Sequence, residues 1–306
     1  MSQGFFCISR FTDASDHQSP LPTATHVSRS PARVSLFRGS VSCTRLLTLR
    51  SVFVGTSGWA YKDWAEAFYP AGLPAARQFR FYATRFSTVE INASFYRLPT
   101  VRAFQTWKEQ APPRFIYSVK GSRAVTHYKR IEPGAKSFDI LLERVGLLEE
   151  HLGPILWQLP GSFRKNSSRL AAFLDLLPTK FRHAIEFRHP SWLDDEIFGL
   201  LRAHKVACVS VSSLVLPFVL HTTADFFYLR FHGLEGGAAH DYTRAELEPW
   251  ASAIKRAVKQ GIGGYTYFNN DANRRAPANA ETLVELIGKP AARPVATAPE
   301  LVRHSD

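Results

Sequence analysis

Glu90 with Asn92, Glu186 with Arg188, and Arg230 with His232 are pairs of polar side chains spaced two residues apart, each closing a short apolar run. Side chains two apart in a strand share a face, so each pair points one way. Lys120 and Gln158 close two further runs, and Asn269, Asn270 and Asp271 follow another. Carboxylates set among cations are the materials of general acid/base chemistry, because neighbouring charge tunes their proton affinity. Glu90 and Glu186 are therefore the acid/base candidates, with Lys120 and His232 beside them as catalytic candidates. Lys120 could alternatively form a Schiff base if its neighbours depress its pKa. Asn92, Gln158, Arg188, Arg230, Asn269, Asn270 and Asp271 would hold and orient a substrate.

The same charges admit a plainer reading. Lys120, Arg188 and Arg230 balance Glu90, Glu186 and Asp271 in sign, as a self-satisfied ion-pair network closing a core would require. The nearby loops tip the balance positive through Arg97, Arg123, Lys129, Arg130, Arg274 and Arg275. A carboxylate or phosphate on a ligand suits them. Pro277 could open a helix whose free N–H groups face such an anion. The stretch GTSGWAYKDWAEAFYP is dense in aromatics, Trp59 among them, and Tyr96 follows Asn92 closely. These rings could stack on a sugar or base, or plug the opening.

His127, His189 and His232 could join the acids around zinc or manganese. Arg188 and Arg230 would repel a dication, however, and no close-spaced ligand pair occurs. The expectation is no cofactor, with a divalent metal as the alternative. No GxGxxG, Walker, GxSxG or HExxH pattern is present. Cys208 lies in the apolar run VACVSV and reads as core rather than nucleophile.

The elements that must position these groups alternate along the chain. Eight strand-length runs rich in Val, Ile, Phe and Tyr are Ser51–Gly55, Ser87–Asn92, Phe115–Lys120, Pro154–Gln158, His183–Arg188, Val206–Val211, Phe226–His232 and Gly264–Asn269. Between them lie segments of helical spacing. In TVRAFQTWKEQA, Val101, Phe104, Trp107 and Ala111 share a face; KSFDILLERVGLLEEHL and SSRLAAFLDLLP behave likewise. TRAELEPWASAIKRAVKQG opens with Thr243 and Glu246 at capping-box spacing and stops at Gly261. Strict alternation predicts a parallel α/β sheet, and eight repeats predict closure into one TIM-type (β/α)₈ barrel. The link from Ser212 to Asp225 carries Pro217 and no helical pattern, so the barrel is expected to be irregular between strands six and seven. Polar residues at the carboxyl end of nearly every strand then converge on the face where enzymes of this architecture work.

At these residues the chain resembles the YecE-like family, the domain-of-unknown-function family numbered 72. The stretches are VFVGTSGWAYKDWAEAFYP, FSTVEINASFYRLP, FIYSVKGSRAVTHYKR, LGPILWQLPGSF, AIEFRHPSW, FFYLRFHG and YTYFNNDANRRAPANA, running from about Val52 to Leu286. The resemblance implies a TIM-type barrel and no particular reaction. One departure shows: similar members carry Asp at the end of strand six, where this chain has Ser210, Ser212 and Ser213.

The ends of the chain stand apart. Residues 1–50 carry +4 of the formal +12 charge, residues 289–306 carry +1, and the segment between holds +7. Residues 1–50 read as a disordered or mis-annotated leader, Arg-rich in the manner of a transit peptide or begun too far upstream. Residues 51–288 read as the barrel domain, and residues 289–306 as a disordered tail. No apolar stretch approaches a membrane span, and three isolated cysteines suit a reducing cytoplasm. The leading expectation is an enzyme acting on a small anionic, phosphorylated or sugar-like substrate by carboxylate acid/base chemistry. The alternatives are a metal-dependent phosphodiesterase or nuclease, and a non-catalytic module binding nucleic acid or protein. Oligomeric state is left open.

Overall fold

A computed structural model describes residues 51–288 together with residues 291 and 292; the expectations made for the leader and tail lie outside the described residues. Its strands are β1 (Val52–Thr56), β2 (Thr88–Ile91), β3 (Ile116–Lys120), β4 (Leu152–Gln158), β5 (His183–Glu186), β6 (Ala207–Ser212), β7 (Phe227–Phe231) and β8 (Gly264–Phe268). They form one parallel sheet in the order β1-β8-β7-β6-β5-β4-β3-β2. The predicted strands are all present, with ends shifted by one or two residues. Asn92, Arg188 and His232, expected within strands, sit just beyond them.

Helices follow the strands: α1 (Ala75–Arg85), α2 (Val101–Gln110), α3 (Lys136–Val145), α4 (Ser167–Asp175), α5 (Asp195–Ala203), α6 (Arg244–Lys259) and α7 (Arg275–Ile287). Thr243 and Glu246 form the predicted capping box at the head of α6. No helix joins β6 to β7, as the sequence of that link implies. The long amphipathic stretch after Lys136 is not one helix: α3 gives way at Gly146 to 3₁₀ turns, with Glu149 at φ 48°. Val101, expected on the buried face of α2, begins the helix and is exposed, whereas Phe104 is fully buried. α7 begins at Arg275, two residues before Pro277. Among the described residues no helix is long and apolar enough to cross a membrane.

The two-residue period of the strands separates two cores. In β7, Phe227, Leu229 and Phe231 face the helices, while Tyr228 belongs to the interior set with Phe53, Leu156, Val209, Tyr265 and Tyr267. Arg230 shares the inward face of Tyr228. By the same count Thr88 and Glu90, Ser118 and Lys120, and Ala184 and Glu186 point inward. The hydroxyl of Tyr267 lies 2.7 Å from those of both Thr88 and Ser118, a polar layer beneath the charged one.

β1 and β2 end the ladder and share no strand pairing. Tyr82 of α1 bridges this seam. Its hydroxyl accepts from the Thr56 amide at 3.0 Å and donates to the Thr88 carbonyl at 2.9 Å. Gly55 is required there, because a Cβ would lie 2.2 Å from the Thr88 carbonyl oxygen.

Candidate active site

Inward side chains near the carboxyl ends of β2, β5 and β7 meet on the barrel axis. Arg230 is 1 % exposed and spans two wholly buried carboxylates, with Nη2 2.7 Å from Glu90 Oε1 and Nη1 2.6 Å from Glu186 Oε2. Ser57, just past β1, donates to Glu90 Oε1 at 2.7 Å, and Tyr228 donates to Oε2 at 2.6 Å. Glu186 Oε1 accepts from Gln158 at 2.8 Å and Arg188 at 2.9 Å, and lies 3.1 Å from His232 Nε2. Burial alone would raise the Glu186 carboxyl, but Arg230, His232 and Arg188 outweigh it and hold the group well below the usual carboxylate range. Burial likewise opposes the charge on Arg230, and Glu90 and Glu186 reverse that effect.

His232 is held neutral. Burial, aided by Arg230, lowers its pKa to about 4 against the pull of Glu186. The side-chain amide nitrogen of Asn269 lies 3.1 Å from Nδ1, which assigns the proton to Nε2, facing Glu186.

Lys120 differs from its neighbours. It is 8 % exposed, yet among the described residues no carboxylate lies within ion-pair distance of its Nζ. The ammonium sits 4.1 Å from the centroid of the Phe95 ring. Burial and the charge of Arg230 lower its pKa to about 8, against the opposing influence of Glu186 and Glu90. Arg230 has already neutralised much of the two carboxylates. Arg188 lies outward of this floor with its side chain 36 % exposed. Arg123 sits between the rings of Tyr96 and Tyr128, 5.8 and 5.5 Å from their centroids, and both tyrosines are largely exposed.

Asn92 heads the single helical turn Ala93–Tyr96, its buried Oδ1 without a partner. Asn270 is buried and ties the last two loops together, donating to the His240 carbonyl at 2.8 Å and to Asn279 at 2.7 Å. Asp271 accepts from Trp64 Nε1 at 2.7 Å, and burial raises its carboxyl to about 6. Trp59 packs edge-on against Phe79 and Trp107, that is, against α1 and α2. Trp64 is fully buried among Tyr61, Phe68, Tyr69 and Tyr82, so much of the aromatic first loop is packing.

The three imidazoles do not gather. His127 lies 2.9 Å from Thr126 Oγ1 and edge-on to Phe95, while His189 accepts from the Ser191 amide. Among the described residues no three His, Cys, Asp or Glu are grouped as metal ligands. Burial pushes the Cys208 thiol up to about 12, which leaves it inert. At the end of β6, Ser210 accepts from the His221 amide and Ser212 from Tyr242.

Tyr228 was not foreseen as a neighbour of the charged groups. For Tyr228 the signal was present, two residues before Arg230 on the same face of β7. A cavity of about 780 Å³ lies at the opposite end of the barrel, lined by Leu152, Arg182, Asp225 and Tyr265.

The model of the family described as "Protein of unknown function DUF72" matches residues 53–303. UPF0759 protein YunF of Bacillus subtilis is 24% identical over 272 residues, covering 77% of this chain and 94% of that protein. UPF0759 protein YecE of Escherichia coli is 27% identical over 142 residues, 46% of this chain and 50% of its own length. The crystal structure of a DUF72 family protein from Thermotoga maritima is similar with TM-score 0.70 and 28% identity, covering 78% of this chain and 99% of that one. Another, from Enterococcus faecalis, has TM-score 0.66 at 18% identity over 77% and 95%, a likeness of fold.

Proposed function

This chain belongs to the DUF72 family, a family of unknown function, and from that premise we propose that it is an enzyme acting on a small anionic substrate at the carboxyl end of its barrel. The observation that carries this reading is Lys120, a buried cation with no carboxylate of its own beside two carboxylates already bridged by Arg230. Lys120, Arg188 and Arg230 set against Glu90 and Glu186 leave one positive charge in excess, with His232 neutral. A phosphate or carboxylate entering the mouth would neutralise it.

Glu186 takes a different part here from that of a proton donor. A carboxylate held ionised by several donors is a poor general acid, so Glu186 serves to fix Arg230, His232 and Gln158 in place. Lys120 is the group whose proton is free to move near neutral pH.

Thermal unfolding with inorganic phosphate, sulfate and a panel of sugar phosphates tests the reading. A ligand at one hundred times its Kd stabilises by about 2.7 kcal/mol. We expect a concentration-dependent rise in Tm for the natural protein, lost in a Lys120→Met, Arg188→Met variant. A rise of equal size in that variant would place the anion elsewhere and reject the site.

A second reading, a non-catalytic surface for single-stranded nucleic acid, is favoured by Arg123 lying between exposed Tyr96 and Tyr128. It predicts binding of oligonucleotides that weakens steeply with salt and is lost in a Tyr96→Ala, Tyr128→Ala variant.

A further inference from the structure

We propose that Lys120 is a covalent nucleophile, condensing through Nζ with the carbonyl carbon of a small aldehyde or ketone that also carries an anionic group. This deepens the reading above and rests on it. The geometry begins with β3, whose alternation brings Lys120 to the inward face at the last residue of the strand. The side chain ends with Nζ 4.1 Å from the centre of the Phe95 ring. The carboxylates that would otherwise claim it, Glu90 on β2 and Glu186 on β5, are both engaged by Arg230 from β7. Arg188 beyond β5 and Arg230 itself add positive charge on the facing side, and His127 stands near in the loop after β3.

That setting is what an amine nucleophile needs. Only the neutral amine has a lone pair to donate, and an ordinary lysine in water is almost wholly protonated at neutral pH. Burial and neighbouring cations favour the neutral form, and the pKa of about 8 agrees with the geometry. An ion-paired lysine could not do this.

The step balances without an oxidant or reductant. The Nζ lone pair forms a C–N bond while the carbonyl π pair moves to oxygen, and one N–H proton passes to that oxygen to give a carbinolamine. The C–O bond then breaks, the oxygen departs as water with the proton that the ammonium gave up to solvent before the attack, and the nitrogen lone pair closes the C=N bond. Ammonium plus carbonyl thus become iminium plus water, so the net charge of the mouth is unchanged. The ligand's anionic group would be met by Arg188. A 2-oxo acid or a phosphorylated carbonyl compound fits this description.

The test uses the full-length protein at neutral pH with glyoxylate and, separately, pyridoxal 5′-phosphate, followed by cyanoborohydride reduction and peptide mapping. At a pKa of about 8 the neutral fraction exceeds that of an ordinary lysine by about 200-fold near pH 7.5. We expect a reduced adduct at Lys120 well ahead of exposed lysines such as Lys62 and Lys255, absent at that position in Lys120→Arg, and slowed by inorganic phosphate. Adducts confined to exposed lysines, with Lys120 unmodified by glyoxylate, overturn the inference. If phosphate still raises Tm in that case, the anion site stands and only the covalent role falls. An adduct at Lys120 that phosphate neither slows nor competes with supports the nucleophile and removes the anion site.

Discussion

Arg230 Nη1 lies 2.6 Å from Glu186 Oε2 at the centre of the barrel, and the two side chains are 1% and 0% exposed. A buried ion pair contributes less to stability than its contacts suggest, because both ions gave up water, but removing one partner leaves a charge with nothing to offset that loss. The Nε of Arg230 is itself buried without a partner. The network is thus a rigid floor rather than an optimised source of stability.

Arg230→Ala should destabilise the fold by about 3–5 kcal/mol, since it leaves the buried Glu90 without a cation and Glu186 with only the part-exposed Arg188. The triple variant Glu90→Gln, Glu186→Gln, Arg230→Met removes the three buried charges of the triad and keeps one carbonyl acceptor at each of positions 90 and 186. It should recover at least half of that loss. Urea unfolding of the two variants decides the matter; an Arg230→Ala loss below about 1 kcal/mol would mean the carboxylates find water or protons in its absence.

Tyr82→Phe isolates the seam of the barrel. The lost hydroxyl leaves the Thr56 amide and the Thr88 carbonyl without partners between strands that share no ladder. Leaving buried groups unpaired in this way costs about 1–3 kcal/mol. Hydrogen exchange at the Thr56 amide should quicken along with the fall in Tm. Unchanged protection at Thr56 would show that β1 and β2 hold together by other contacts.

The positions of the charged groups were legible in the sequence because strand alternation alone orients them. Glu90, Lys120, Glu186 and Arg230 each fall on the inward count of a β-rich run, and the missing helix before β7 is announced by Pro217. What the sequence could not carry is partnership. Arg230 could have paired with Glu90, Glu186 or Asp271, and its taking the first two is what leaves Lys120 without an anion. Asp271 is turned instead to Trp64, from a loop more than two hundred residues earlier in the chain. Trp59 shows the same limit: an aromatic after Gly58 can turn to the mouth or to the helices, and tertiary packing against Phe79 and Trp107 decides it.

Acid should weaken the fold earlier than carboxylates alone would. His232 and His183 are both lowered to about 4 by burial, from 6.5 in the open chain. The unfolded chain therefore binds more protons between those values, so their contribution is complete above pH 6.5 and is lost as pH falls toward 4. Each accounts for up to about 3 kcal/mol. The depressed Glu186 adds a further loss as pH falls below 4.5 toward its folded value. Asp271, raised to about 6, works in the opposite sense and offsets part of the change. Urea unfolding between pH 7 and 5 should show a steady decline, less steep in His232→Gln. A flat profile over that range would mean that the imidazoles are not held neutral.

Lys120→Met should stabilise the protein at neutral pH. The folded pKa of about 8 lies below the ordinary 10.5, so between these values the unfolded chain holds more protons and the fold gains stability as pH rises through them. Below that window the buried ammonium is a cost, on the order of 1–3 kcal/mol once its contact with Phe95 is allowed for. Methionine keeps an unbranched apolar chain over the Phe95 ring and removes the charge. The gain should be largest near pH 7 and shrink toward pH 10.5, where the natural side chain is neutral in the fold and half neutral in the unfolded chain. Urea unfolding at pH 7 and pH 10 measures both quantities. If Lys120→Met is less stable at pH 7, the ammonium is stabilising where it lies, and its place in the mouth is structural rather than chemical. If it is more stable and phosphate no longer raises its Tm, the residue weakens the fold in the service of a ligand, as site residues commonly do.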